Sequence, residues 1–205
     1  MNKMDEMIIV APRRAILEDE ALAFQGTLKD KMLVNRIERN VSESYSIMRR
    51  GDAEIDETYK QPIPYAVIRR GDKVFAYQRL QGAGETRLHG KLSIGVGGHM
   101  NSIEGKRNFS EILHENLMRE IEEELIIEGD GKFEIKTIGL INDDEDETGR
   151  VHLGFLVVID ISDQTVRVRE TEELAGGFVS IKALKAPSKS YDRLENWSKI
   201  AINIL

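Results

Sequence analysis

The sequence predicts a layered α/β domain over residues 62–205, preceded by an N-terminal extension over 1–61 that packs on it. Three observations carry that expectation. Strand-like apolar runs flank one internal helical segment at 109–125, a second amphipathic segment closes the chain, and the region before Pro62 has its own helical period. Strands on both sides of an internal helix, with a helix at the end, give a sheet that helices can cover.

Taken in order, residues 7–10 read as a strand. Residues 28–39 place Leu28, Met32, Leu33 and Ile37 at helical spacing, and 42–49 continue that helix until Gly51 breaks it. An acidic, turn-rich stretch at 51–61 leads to Pro62 and Pro64. From Tyr65 onward AVIRRGDKVFAYQR reads as two short strands around a Gly71-Asp72 turn, with Val67, Val74 and Phe75 in the core. Residues 82–90 form a glycine-containing loop, and 92–96 a strand entering Gly97-Gly98. A loop at 99–108 follows, because Asn101, Ser102, Gly105 and Asn108 favour turns over helix. We expect it to act as a mobile flap. After the 109–125 helix come a strand at 133–141, the acidic loop NDDEDETGR, an apolar strand at 151–161 and a short strand at 166–169. Phe178-Val179 precedes an amphipathic turn at 181–184, and 192–205 reads as a terminal helix containing Trp197.

Composition bounds the function. At 205 residues the chain can bury a substantial core. Its net charge of −7 argues against a nucleic-acid polymer as partner, since phosphate backbones favour basic surfaces. A small nucleotide remains compatible, because a divalent ion can neutralise a diphosphate locally. There are no cysteines, hence no disulfides or thiol chemistry. No long apolar span or signal peptide is visible, so no membrane is expected and the cytoplasm is the default. A homodimer is allowed.

The chemistry concentrates in the internal helix. At 100° per residue Leu113, Leu117, Ile121 and Leu125 form one apolar stripe. Glu120, Glu123 and Glu124 fall on an arc beside it, while Glu115 and Glu122 face the far side. Crowded carboxylates at the border of a core repel one another and lose hydration unless a cation compensates. Hard oxygen ligands suit Mg²⁺ or Mn²⁺. The bland alternative is a solvated, glutamate-rich helix face.

Spacing decides between the two. Gly105, five residues, Glu111, seven residues, then Arg119-Glu120-Ile121-x-Glu123-Glu124 resembles the Nudix box of the MutT-like hydrolases. One position departs: the final glycine is Ile126, with Ile127 following. Gly98, five residues and Glu104 satisfy the first half equally, and Gly97-Gly98 resembles the glycine pair that opens the box. In that register the loop before the helix carries a seven-residue insertion. Asn108 with Glu111 three residues on also fits a capping box, a purely structural role.

The resemblance covers roughly 62–205 and implies a Nudix α/β/α sandwich with a mixed sheet. It implies metal binding by Glu120, Glu123, Glu124 and a carbonyl near Gly98, with Arg119 orienting the carboxylates through ion pairs. The implied reaction is Mg²⁺- or Mn²⁺-dependent hydrolysis of a nucleoside diphosphate linked to another moiety. Glu123, Glu124, Arg119 and Glu111 are the catalytic candidates, and the general base is Glu123, Glu124 or a loop residue. Further ligands are open to 143–147 or to Glu170, Glu172 and Glu173. His99, Arg79 and Arg87, with His89 and Lys91 nearby, are candidates for the substrate diphosphate, whereas His152 reads as structural. Tyr65, Phe75, Tyr77 and Trp197 could stack on a base, though core packing explains them more simply. Two rivals follow: a Nudix-fold binding module without turnover, and an isomerase acting on isoprenoid diphosphates, disfavoured by the lack of cysteine.

Overall fold

The computed structural model describes residues 2–79, 90–105, 108–131, 133–169, 174–186 and 189–205. The first 70 residues form β1 (Met7–Pro12), α1 (Arg13–Ile16), β2 (Gly26–Leu28), α2 (Lys31–Ser44), β3 (Ser46–Arg49), α3 (Arg50–Ala53) and β4 (Tyr59–Arg70). Then come β5 (Lys73–Arg79), β6 (Leu92–Ser93), β7 (Val96–Gly97), α4 (Phe109–Glu124), β8 (Leu125–Glu128) and β9 (Glu134–Asn142). The chain ends with α5 (Glu147–Arg150), β10 (His152–Asp160), β11 (Thr165–Val168), β12 (Leu174–Ser180), α6 (Ile181–Lys185), α7 (Lys189–Asp192) and α8 (Asn196–Ile202). Contacts divide the chain into two compact units. One joins residues 1–64, 98–118 and 138–156, and the other joins 65–97, 119–137 and 157–205.

In the first unit the strand order is β4-β10-β9-β2, and β1 pairs antiparallel with β3 and with the start of β4. Ile8, Ile9, Val10 and Ala11 are all buried, so β1 is a continuous apolar run rather than an alternating one. Asp30 caps α2 by accepting the Met32 and Leu33 N–H groups. The buried face of α2 is Val34, Ile37 and Val41, whereas Met32 is 80% exposed. Of the expected stripe Leu28, Met32, Leu33 and Ile37, Ile37 is on the buried face, Met32 and Leu33 are exposed, and Leu28 packs against the core from β2. Nor does the helix continue over 42–49: it stops at Ser44, and 46–49 pairs with β1 in the register Met7↔Arg49. Gly51 sits inside α3 rather than breaking a helix. Pro62 and Pro64 sit inside β4. Gln61 donates its N–H to the Val151 carbonyl (2.7 Å), so the missing N–H groups at 62 and 64 fall on the opposite edge. Around these strands Ile9, Ile37, Val41, Phe109, Ile112 and Phe155 form one apolar cluster.

In the second unit the order is β12-β5-β4-β10, with β6 on β5, β7 on β4 and a separate β8–β11 ribbon. The Gly71-Asp72 turn holds as expected, with Gly71 at φ +57°, and Val67, Val74 and Phe75 are buried. Ile161 donates to the Arg69 carbonyl at one end of β4, as Gln61 does to Val151 at the other, so β4 and β10 run parallel, whereas β4 and β12 pair antiparallel with β5. The sheet is mixed.

Several expectations need correction here. The strand foreseen at 92–96 is two short pieces: the Ile94 N–H donates to Ser198 Oγ, and the Gly95 carbonyl accepts from Ser93 Oγ and lies within reach of the Tyr77 hydroxyl. A Cβ on Gly95 would lie 2.2 Å from the Tyr65 ring, so only glycine fits there. Helix α4 ends at Glu124, and Leu125–Glu128 is a strand paired with β11. The terminal helix is broken: Leu92 donates to Arg193 O and accepts from Glu195 N–H, so 193–195 are taken by a β-bridge. The 82–89 part of the expected glycine loop lies outside the described residues.

Candidate functional site

The last turns of α4 hold the box residues. Ile121 and Leu125 are buried and fix which face the helix turns inward. That places Glu120 at its border, with a side chain only 12% exposed, while Glu123 is 59% exposed. Arg119 reaches both, at 2.8 Å to Glu120 and 3.6 Å to Glu123. Glu124 lies 2.9 Å from the Tyr77 hydroxyl, which is also 3.0 Å from the Gly95 carbonyl. A phenol has one hydrogen, so Tyr77 donates to one of the two at a time. Arg169 closes the helix end: its side chain donates to Glu122 O and its N–H to Glu124 O. A cation beside the last carbonyls also complements the helix dipole. The donor set of Glu120, Glu123 and Glu124 is entirely oxygen and anionic, which fits Mg²⁺ or Mn²⁺ and fits softer ions poorly.

Glu111 lies in the first turn of α4, in the other unit, exposed beside Ser110, His114 and Glu115. Asn108 caps the helix there, accepting the Ser110 N–H (3.0 Å). Gly98 follows β7, half-buried. The flap expectation fails for residues 99–101. Met100 is fully buried and its carbonyl accepts from Ile9, while Asn101 is bonded to Asn116, Glu6 and Met7. Residues 101–105 are nonetheless non-helical.

The acidic loop is a solvated tip at Glu145, Asp146 and Glu147 but not at its start. Asp143 is buried and held by Gln25, and Asp146 caps α5. Asp144 accepts from Arg13 (2.8 Å) and from the fully buried Lys60 (2.8 Å). Burial alone would raise the Asp144 pKa, but the Arg13 and Lys60 hydrogen bonds overcome it and hold the carboxyl well below the usual range. Burial lowers the Lys60 pKa against the pull of Asp144.

His99 and His152 meet. Their Nε2 atoms are 3.2 Å apart, and Glu54 Oε1 is 3.3 Å from His99 Nε2. The His99 hydrogen bond holds Glu54 down at about 2, and burial pushes His152 down to about 4. Glu54 was not singled out in the sequence, and no local motif could have found it, since even the two histidines stand 53 positions apart. Tyr65, Phe75 and Tyr77 are core residues, as the simpler reading had them. The Arg79 side chain, Arg87, His89, Glu170, Glu172 and Glu173 lie outside the described residues.

No protein-family model matches the chain. Protein YmaB of Bacillus subtilis (strain 168) is 50% identical over 206 residues, spanning 100% of both chains. Among solved structures, that of Tm1382, described as a candidate Nudix hydrolase, matches with a TM-score of 0.76 at 28% identity over 97% of each chain. The chain belongs to the Nudix hydrolase superfamily. Nudix hydrolases act on phosphoric anhydride bonds, which is the chemistry that the α4 glutamates imply. Among the described residues, no helix is long and apolar enough to cross a membrane.

Proposed function

We propose that this Nudix protein is a Mg²⁺-dependent pyrophosphohydrolase that cleaves a nucleoside diphosphate linked to another moiety. The observation that carries the reading is the paired geometry at the end of α4, where Arg119 holds Glu120 and Glu123 and Tyr77 holds Glu124. In this reading Glu120, Glu123 and Glu124 hold the ion. When bound, Mg²⁺ polarises phosphoryl oxygens and makes a water more acidic. Arg119 keeps the first two carboxylates turned toward a common point, and Glu123 or Glu124 takes the proton from the attacking water. Arg79 and Arg87 are assigned to the substrate diphosphate, and Glu111 supports the helix start. A chain without cysteine fits a cytoplasmic setting. The test is phosphate release from a panel of nucleoside diphosphate derivatives, with and without Mg²⁺. Turnover that needs both the ion and Glu123 or Glu124 supports the reading; release indifferent to both refutes it.

A further inference from the structure

A second constellation, built from residues outside the box, lies wholly within the first unit. Three separate segments converge there: Glu54 just past α3, His99 after the Gly97-Gly98 pair, and His152 at the start of β10. One ligand atom from each lies within 4.8 Å of the other two. The edges from His99 Nε2 are 3.3 Å to Glu54 Oε1 and 3.2 Å to His152 Nε2. A tetrahedral ion with bonds of about 2.0–2.1 Å sets its ligand atoms about 3.3–3.4 Å apart. Both edges match that spacing. We propose that Glu54, His99 and His152 form a binding site for a divalent transition ion of the Zn²⁺ class, separate from the carboxylates of α4.

The surroundings hold the site as ligands are usually held. His152 Nδ1 is 2.6 Å from the Thr148 carbonyl, which can only accept, so the ring proton is on Nδ1 and Nε2 directs its lone pair at His99. A second-shell carbonyl that fixes the tautomer in this way is the common support of a metal-binding imidazole. The two rings are inclined at 68° with centroids 5.3 Å apart, so they present edges to a shared point rather than stacking. Backbone on either side is anchored: Met100 O accepts from Ile9, and Val151 O from Gln61. Burial is graded, with His152 6% exposed and the His99 and Glu54 side chains 13% and 24% exposed. Access and a fourth, water ligand therefore come from the Glu54 side.

Nearby cations have anions of their own. Arg50 contacts Glu54 Oε1 at 3.3 Å but also Glu6, and Lys60 is paired with Asp144. Two imidazoles with one carboxylate favour Zn²⁺, Co²⁺ or Ni²⁺ over Mg²⁺. Without an ion, a proton on His99 Nε2 bridges to Glu54 or to His152; an ion bound at Nε2 takes its place, and the neutral ring keeps its one proton on Nδ1.

This inference does not rest on the diphosphatase reading, and its test does not use turnover. Metal-stripped protein is titrated with Zn²⁺ against a chelator, and Co²⁺ loading is followed by visible absorption. We expect one Zn²⁺ per chain and an intense tetrahedral Co²⁺ band. Both persist in Glu120→Gln/Glu123→Gln protein. His99→Gln and Glu54→Gln, at the more accessible positions, weaken Zn²⁺ binding by more than about 100-fold, since even outer-shell losses cost about 10–100-fold. Their melting curves confirm that both variants are folded. No Zn²⁺ uptake by the wild type, or uptake unchanged by either substitution, overturns the site and leaves a proton-bridged histidine pair.

Discussion

Tyr77 shows how a core residue becomes part of a site. Its ring is buried in the sheet, and its hydroxyl divides one hydrogen between Glu124 and the Gly95 carbonyl. Tyr77→Phe keeps the ring and removes that donor. We expect a loss of about 1 kcal/mol in stability, the usual net worth of one hydrogen bond. We also expect kcat to fall about tenfold with KM nearly unchanged, because the group acts by positioning Glu124 and does not touch substrate. Urea unfolding and steady-state kinetics on the same preparation check both; an unchanged kcat removes Tyr77 from the machinery. The carboxylates were legible in the sequence because a helix has one period and Arg119 to Glu124 lie within two turns of it. Tyr77, Arg169 and Glu54 were not, since each reaches its partner through the fold and not through local spacing.

At the scale of elements, β8 explains the missing box glycine. Ile126 pairs with Arg167 and Ile127 with Val166, so the positions after the helix need residues that suit a pleated, half-buried surface. Ile126→Gly restores the family spacing yet should destabilise the protein by about 1–2 kcal/mol, through lost apolar contact and backbone entropy. A rise in thermal stability would show that the ribbon does not depend on that side chain. The loop before β10 makes a second prediction. Asp144 joins Arg13, Lys60 and Asn142, and its pKa is depressed in the folded state. A depressed carboxyl contributes stability that is full above its unfolded pKa of about 3.9 and is lost as pH falls below it. Asp144→Asn should cost about 3 kcal/mol at neutral pH, the lower end for uncovering a buried partner, because Asp144 is itself partly exposed. Chemical denaturation from pH 7 to 2 should show a shallower acid loss in the variant; parallel curves contradict the assignment. Here the sequence was legible only in part: Glu145, Asp146 and Glu147 are exposed, as an acidic run suggests, but Asp143 is buried against Gln25 and Asp144 is paired with Arg13 and Lys60, partners far away in the chain. Helical and strand periods found α4, β5 and β10, but β2, β3 and β8 are too short to show a period and exist only because a partner strand is present.

For the whole molecule, a ligand that binds only the native state raises its stability by mass action. Mg²⁺ should therefore raise the melting temperature through the α4 carboxylates, and Zn²⁺ through Glu54, His99 and His152, with the two shifts abolished by different substitutions. Glu120→Gln should blunt the first and spare the second; a single substitution that removes both would merge the sites. The central claim is catalytic, and it is tested most directly by one comparison. Phosphate release from the nucleoside diphosphate panel is measured with Mg²⁺ for wild type, Glu123→Gln and Glu124→Gln, all folded. The account predicts Mg²⁺-dependent turnover of at least one panel member by the wild type and loss of most of it in both variants. Equal turnover by all three proteins would contradict it.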